Sequence, residues 1–426
     1  MLARHHDVTV FEANDYLGGH SNTVDVDFGG IAIPVDTGFI VYNEHNYLNL
    51  TALFAELRVP TEPSDMSFGI SLGGGALEYA GSPAGLFAQR GNILKPRFWR
   101  MIASLWRFYK AAPRLAARGG LDGLTIEDLL IQRRTSLAFR EDHLLPMIAA
   151  IWTAPVDTVR SFPAEHVMRF FDNHRLFEIG ERPRWRTVSG GSREYVKRLA
   201  ANIGGDIRLS SAVATITRGP TVMTVTTTAG AQESFDHVII GAHGDEALAM
   251  LADPSPEEQQ ILGAFKFETN RAVLHRDPAL MPKRRQVWSS WNYLEPGSRQ
   301  THSVERAHHA RGGSVTYWMN RLQSIDDRHP LFLSVNPLTE PAANLVFAEF
   351  SYDHPLYDLA TIAAQRALGS IQGTQRTWYC GAYCGYGFHE DGLSAGIDVA
   401  QRLGVTPPWI KQGDAAPPIT SQAAAE

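Results

Sequence analysis

Cysteine is nearly absent: Cys380 and Cys384 are the only two in 426 residues. One pair builds no disulfide framework, and two thiolates alone do not complete a metal site. Their Cys-x3-Cys spacing admits a dithiol redox pair, but small buried packing residues are the preferred reading. Long apolar runs are missing too. No stretch reaches the ~18 apolar residues that a membrane-spanning helix needs. The start carries His5, His6 and Asp7 where a secretory signal would have an apolar segment, so the cytoplasm is the expected compartment. HExxH does not occur, which argues against that class of metalloenzyme and leaves no metal expected. No serine hydrolase is expected, and Ser189-Gly190-Gly191-Ser192 is unlike the nucleophile elbow of that class. The net charge of −6 argues against a nucleic-acid partner. Acidic residues are missing from one place in particular: none lies between Tyr79 and Leu121, where eight bases occur.

What is present is ordinary for a globular protein, with 44% hydrophobic and 20% charged residues. The length suits two to three domain-sized units. Thr377–Ala400 reads as a strand, a glycine-rich loop and a helix opened by Asp391 and Gly392. Gly381, Gly385 and Gly387 let backbone approach a ligand, and the helix start offers free N–H groups. Near the N-terminus, Asp7–Glu12 is a short β-rich run ending in an acid, with Gly18 and Gly19 close behind. In a dinucleotide-binding fold such an acid bonds a ribose hydroxyl, and Glu12 fits that role.

With FEANDYLGGHSNTV and VDTGFIVYNEHNY in view, the chain resembles the flavin-containing amine oxidoreductases, and among them a bacterial group of predicted NAD/FAD-binding proteins. The likeness recurs at IWTAP (151–155), RPRWRTVSGGSREYV (182–196), VWSSWNYL (287–294), VTYWMNRLQ (315–323) and CGAYCGYGFHEDGL (380–393). It implies an α/β fold in which a Rossmann-like FAD-binding domain is interleaved with an α+β substrate domain. The expected division is 1–58, 187–264 and 373–405 for FAD, and 59–186 and 265–372 for substrate. The resemblance implies that FAD is held by Glu12, Gly18, Gly19, His20, Gly38, Phe39, Val213, Gly381, Gly385, Tyr386, Gly387, Phe388, His389, Gly392 and Leu393. Gly38 and Phe39 would pass near the flavin ring, Val213 would face the adenine side, and His20 stands where relatives often carry Arg. The family's GxGxxG turn and the strand before it do not occur here. The expectation is that Met1 is an internal start, roughly 20 residues short of a full dinucleotide fold. Losing that turn is expected to weaken FAD binding by on the order of 3–9 kcal/mol. Gly241-Ala242-His243-Gly244 makes no second GxGxxG, so no dedicated nicotinamide site is expected.

Many family members place a Lys near the flavin nitrogen. Lys266 is a candidate here, with Asn270, Arg271 and His275 as alternatives and His389 in the C-terminal loop. The expected reaction removes hydride from a C–H of a hydrophobic or amine substrate. A desaturase acting on a fatty-acyl lipid and a non-catalytic FAD or lipid binder are the alternatives. Aromatic, strand-like residues from Phe265 to Phe350 are read as a large sheet. Tyr47–Leu57 is read as a helix, as is the basic stretch after Pro96, with Pro113 as its stop. In that stretch Phe98, Met101, Ile102, Leu105 and Tyr109 share one face, and Arg100, Arg107 and Arg114 recur at intervals of seven on another. A basic amphipathic helix over 97–118 suits either a solvated cap or peripheral contact with an anionic membrane at its inner face. Ser192 is read as an N-cap. The tail, 406–426, is rich in Ala, Pro, Ser and Gln and is expected to be disordered.

Overall fold

The computed structural model describes residues 1–178, 180, 183–297 and 313–410. The tail expectation for 411–426 falls outside the described residues.

The largest sheet has seven strands. Their order is Val346–Leu356, Lys266–His275, Phe332–Val335, Ser314–Trp318, Trp291–Leu294, Phe68–Leu72 and Leu77–Ala80. All neighbours are antiparallel except Trp291–Leu294 with Phe68–Leu72. Fully buried faces explain the apolar and aromatic composition of these strands: all five residues of Ser314–Trp318 and all four of Phe332–Val335 are buried. Helices between Pro96 and Asn173 cover this sheet, and their apolar residues share its core through Phe98, Met101, Phe139, Ile148, Trp152 and Phe170.

A second core joins Ile216, Val225, Ile240, Leu262 and Tyr379 with Ala364, Leu368 and Ile371. Two short parallel pairs lie in this part of the chain, Thr9–Phe11 with Asp206–Arg208 and Val238–Ile240 with Thr377–Tyr379. A third, smaller core packs helix Leu48–Glu56 against Val188, Tyr195 and Leu393. Thr23–Asp27 and Ala32–Asp36 form an antiparallel hairpin, and buried Asp36 ties its end to Ser192 at 2.8 Å.

Three local expectations are corrected. Pro113 does not stop the basic helix, which runs from Pro96 to Arg118 and leaves its last turn at Gly119 with φ +67°. Pro113 sits on the exposed side, where water can take up the carbonyl its ring leaves unbonded. The C-terminal helix starts at His389, one turn earlier than Asp391-Gly392 implied, because the Asp391 carboxylate reaches back to cap it. Ser192 occupies the N-cap position of helix Arg193–Ala201 without making a side-chain cap; its hydroxyl donates to Asp36 instead.

Candidate functional site

The glycine loop sits where the chain leaves strand Thr377–Tyr379, makes a short turn at Ala382–Cys384 and enters helix His389–Arg402. The Gln365 amide donates to the Tyr383 and Gly385 carbonyls at 2.7 and 2.6 Å and fixes the turn. Asp391 accepts from the Phe388 N–H at 2.9 Å. Its burial raises the carboxyl pKa to about 7. Glu390 reaches out of the same helix start and accepts from the N–H groups of Asn49 and Leu50 at 2.8 and 2.9 Å. The first and last parts of the chain therefore build one locus.

Around that locus lies a group of histidines. The His20 carbonyl accepts from the Phe39 N–H at 2.7 Å. A Cβ on Gly38 would stand 2.2 Å from that carbonyl oxygen, so only glycine permits the approach. The His20 ring lies 4.9 Å from Tyr352, 5.5 Å from His354 and 6.3 Å from His243. Its Nε2 is buried and has no hydrogen-bond partner. His354 Nδ1 sits 2.9 Å from both Thr153 Oγ1 and Asn270 Nδ2. On the other side, Ser21 Oγ meets the Tyr195 hydroxyl at 2.5 Å, and that hydroxyl meets His389 Nε2 at 2.6 Å. Phe39 stacks on His389 at 4.0 Å. Burial, with neighbouring histidines second, lowers the pKa of His20 and His389 to about 4 and of His354 to about 3. These rings are neutral at pH 7 and act as hydrogen-bonding groups, not as cations.

An aromatic wall adjoins the loop. Trp152 Nε1 donates to the Tyr386 carbonyl at 3.1 Å, and Phe170 stacks on Phe388 at 4.7 Å. His166 stacks on Tyr357 at 4.3 Å and lies 4.6 Å from Tyr386. Both His166 Nε2 and the Tyr357 hydroxyl are buried without a partner. Burial keeps His166 neutral, with a pKa of about 3.

The residues read from sequence distribute unevenly. His20, Gly38, Phe39, Tyr386, Phe388 and His389 share this locus. Glu12 stands just past the first strand and accepts from the Asn14 N–H at 2.9 Å. Gly19 has φ +55°, and a Cβ there would meet nothing within 4 Å. Val213 begins a strand that packs toward the second core. Lys266 is exposed and paired with Asp358 at 3.0 Å. Arg271 is half-buried and paired with Glu340 and Glu349. His275 is buried at the far end of the same strand, on Ser334 at 2.9 Å. At ~3.3 Å per residue, it stands roughly 16 Å along the strand from Asn270. Burial lifts the Cys380 thiol to about 11 and raises Cys384 as well, so neither is a thiolate, in keeping with packing residues. Among the described residues no cluster of His, Cys, Asp or Glu is placed to hold a metal. Tyr195, His354, Thr153, His166 and Tyr357 were not read from sequence. The stretches IWTAP and GGSREYV contain two of them and were the available signal.

The family profile described as flavin containing amine oxidoreductase matches residues 1–404. A search of curated proteins finds no match. Among solved structures, the chain is similar to cyclohexylamine oxidase from Brevibacterium oxydans IH-35A, at 16% identity and TM-score 0.62, over 92% of this chain and 93% of that one. It is similar to putrescine oxidase, at 15% identity and TM-score 0.61, over 92% and 93%. It is also similar to a CLA-producing fatty acid isomerase from P. acnes, at 13% identity and TM-score 0.62, over 93% and 92%. At these identities the likeness is one of fold.

Proposed function

The chain belongs to the flavin-containing amine oxidoreductases, an FAD-dependent oxidoreductase family, and we propose that it takes hydride from a C–H of a hydrophobic or amine substrate at the locus around His20 and His389. The residues there fit the cofactor. Gly19 leaves open space beside its backbone, His20 Nε2 is a buried polar atom awaiting a partner, and a 14-residue helix starts at His389. In this reading Glu12 holds the ribose and Val213 flanks the adenine. Gly18, Gly19, His20, Gly38 and Phe39 form one wall of the site, and Gly381 through Leu393 form the other. When bound, FAD accepts the hydride. The protein supplies position and exclusion of water. Of the candidates Lys266, His275 and His389, only His389 stands among these residues, with Tyr195 fixing its ring.

The observation that carries the substrate reading is the aromatic wall. Trp152, Phe170, Tyr357, Tyr386 and Phe388 carry no charge, and His166 is neutral. Its two unpartnered polar atoms, His166 Nε2 and the Tyr357 hydroxyl, offer a substrate hydrogen bonds without a counter-ion. That suits an apolar substrate, or an amine bound in its neutral form. A fatty-acyl substrate fits the same wall. The structural neighbours, a cyclohexylamine oxidase, a putrescine oxidase and a fatty acid isomerase, span both classes.

The domain division expected from sequence is proposed with it. The buried residues of the second and third cores come from 1–58, 187–264 and 373–405, with Phe265, Ala364, Leu368 and Ile371 among them from outside those ranges. The test is anaerobic mixing of FAD-loaded protein with a panel of hydrophobic amines and fatty-acyl compounds. Bleaching of the visible flavin band by one class is expected. A band unchanged by every member, in protein that dithionite reduces fully, would overturn the reading.

A further inference from the structure

The outer face of helix Pro96–Arg118 has no use in the site described above, and its composition is unusual. One side is core: Phe98, Met101, Phe108, Tyr109 and Ala112 are buried. The opposite side carries Trp99, Ala103, Trp106 and Lys110 at helical spacing, with Trp99 46% and Trp106 55% exposed. Just before the helix, Leu94 is 85% exposed, with Ile93 and Phe87 exposed beside it. Solvated helix faces seldom spend tryptophan and leucine this way, and contiguous exposed apolar residues mark interaction surfaces. The tryptophans are also held in place. Trp99 Nε1 donates to the Ile93 carbonyl at 2.8 Å, and the Lys110 ammonium lies over the Trp106 ring at 5.0 Å.

Charge selects the occupant. Arg97 is neutralised by Asp142, but Arg90, Arg100, Arg107, Lys110, Arg114 and Arg118 have no ion pair among the described residues. At ~1.5 Å per residue the 23-residue helix is roughly 35 Å long, and this whole length lacks an acid. A cationic helix bearing exposed indoles is the chemistry of the headgroup region: tryptophan prefers the interface, and arginine prefers anionic lipid. No described helix is long and apolar enough to cross a membrane, so the contact is one of lying on the surface.

We propose that helix Pro96–Arg118, with Phe87, Ile93 and Leu94, docks this protein on an anionic lipid surface. The inference stands whether or not the substrate reading holds. It is tested by sedimentation with sucrose-loaded vesicles of phosphatidylcholine, with and without phosphatidylglycerol. Binding is expected only with phosphatidylglycerol and is expected to weaken as salt shortens the Debye length from ~10 Å at 0.1 M toward ~3 Å at 1 M. Arg100→Glu with Arg107→Glu should lower affinity on the order of 100-fold. Trp99→Ala with Trp106→Ala should lower it roughly tenfold. Arg100 and Arg107 are exposed, so their double variant should keep the parent thermal midpoint, while the Trp double variant gives up the Trp99–Ile93 hydrogen bond and should melt only slightly lower. Brominated-lipid quenching of tryptophan emission should vanish in the Trp double variant. Absent binding at low salt, binding indifferent to either variant, or equally tight binding to single-stranded DNA overturns the proposal.

Discussion

Mild acid should unfold this protein, and the number of protons taken up can be worked from its buried groups. His20, His166, His174, His275, His354 and His389 are buried or half-buried. Burial is the leading cause that lowers each, to about 4 for His20, His174, His275 and His389 and to about 3 for His166 and His354. An unfolded histidine titrates near ~6.5. Below that value the unfolded chain takes up protons that the folded chain refuses. The folded pKa is depressed, so the stability is present above the unfolded value and is lost as pH falls toward the folded one. Carboxyls raised by burial act in the opposite sense, Asp172, Glu295 and Glu390 among them and Asp36 and Asp391 most strongly. Burial raises Asp36 to about 6 and Asp391 to about 7, so the folded chain holds these protons while the unfolded chain releases them. Six histidines less the two most strongly raised carboxyls leaves about four protons as an upper figure, which partial titration near pH 6 brings to roughly three and the other raised carboxyls lower further. At ~1.4 kcal/mol per proton and pH unit, stability should fall by at most roughly 4–5 kcal/mol per unit between about pH 6 and 5. A typical stability of ~5–15 kcal/mol would at that slope be exhausted within one to three units. Urea unfolding at a fixed excess of FAD, repeated from neutral pH to about 5, gives the slope directly. A slope of less than about one proton in that window would refute the reasoning.

Two further substitutions test how the structure is held together. Tyr195→Phe leaves Ser21 Oγ and His389 Nε2 without their shared hydroxyl, and should cost about 1–3 kcal/mol in urea at an unchanged m-value; a loss below ~0.5 would mean that the chain of contacts is not formed. Glu258→Gln removes one of Arg218's two charged partners, the buried one at 2.6 Å with side chains 0% and 1% exposed, leaves Asp253 at 3.0 Å, and should cost about 1–3 kcal/mol. In the parent, burial pushes the Glu258 pKa up, but Arg218, the Ser255 N–H and the Tyr379 hydroxyl outweigh it and hold the carboxyl below its usual range. Its contribution is therefore present above the unfolded carboxylate value and is lost as pH falls through the lower folded one, in a more acid window than the histidines occupy. A Glu258→Gln variant as stable as the parent at neutral pH would show that the pair is dispensable.

Local pattern carried much of the fold. The β-rich Asp7–Glu12 run, the stripe behind helix Leu48–Glu56 and the strand before the glycine loop were readable because each is set by neighbours in sequence. The site was readable only in parts. His20 and His354 are 334 positions apart, and they meet only because the hairpin end at Asp36–Gly38 lies against strand Val346–Leu356, through Thr37 and Tyr352 at 2.6 Å. Tyr195 meets His389 through a packing of two helices that neither segment encodes alone. Lys266 shows the converse. Its place in the chain suits a catalytic lysine, but the register Lys266↔Leu356 puts it at the sheet's exposed end beside Asp358. Strand alternation cannot tell which end of a strand faces a site.

Titration of FAD into the protein, followed by quenching of flavin fluorescence, tests the central claim most directly when the parent is compared with Gly19→Asn. Asparagine tolerates the left-handed backbone at φ +55°, and the space beside Gly19 is open, so the variant should fold and melt like the parent. If the cofactor lies along Gly18–His20, the parent should bind one FAD per chain and the variant should lose affinity at least roughly tenfold, about 1.4 kcal/mol. Equal affinity in both proteins would contradict this placement of the flavin.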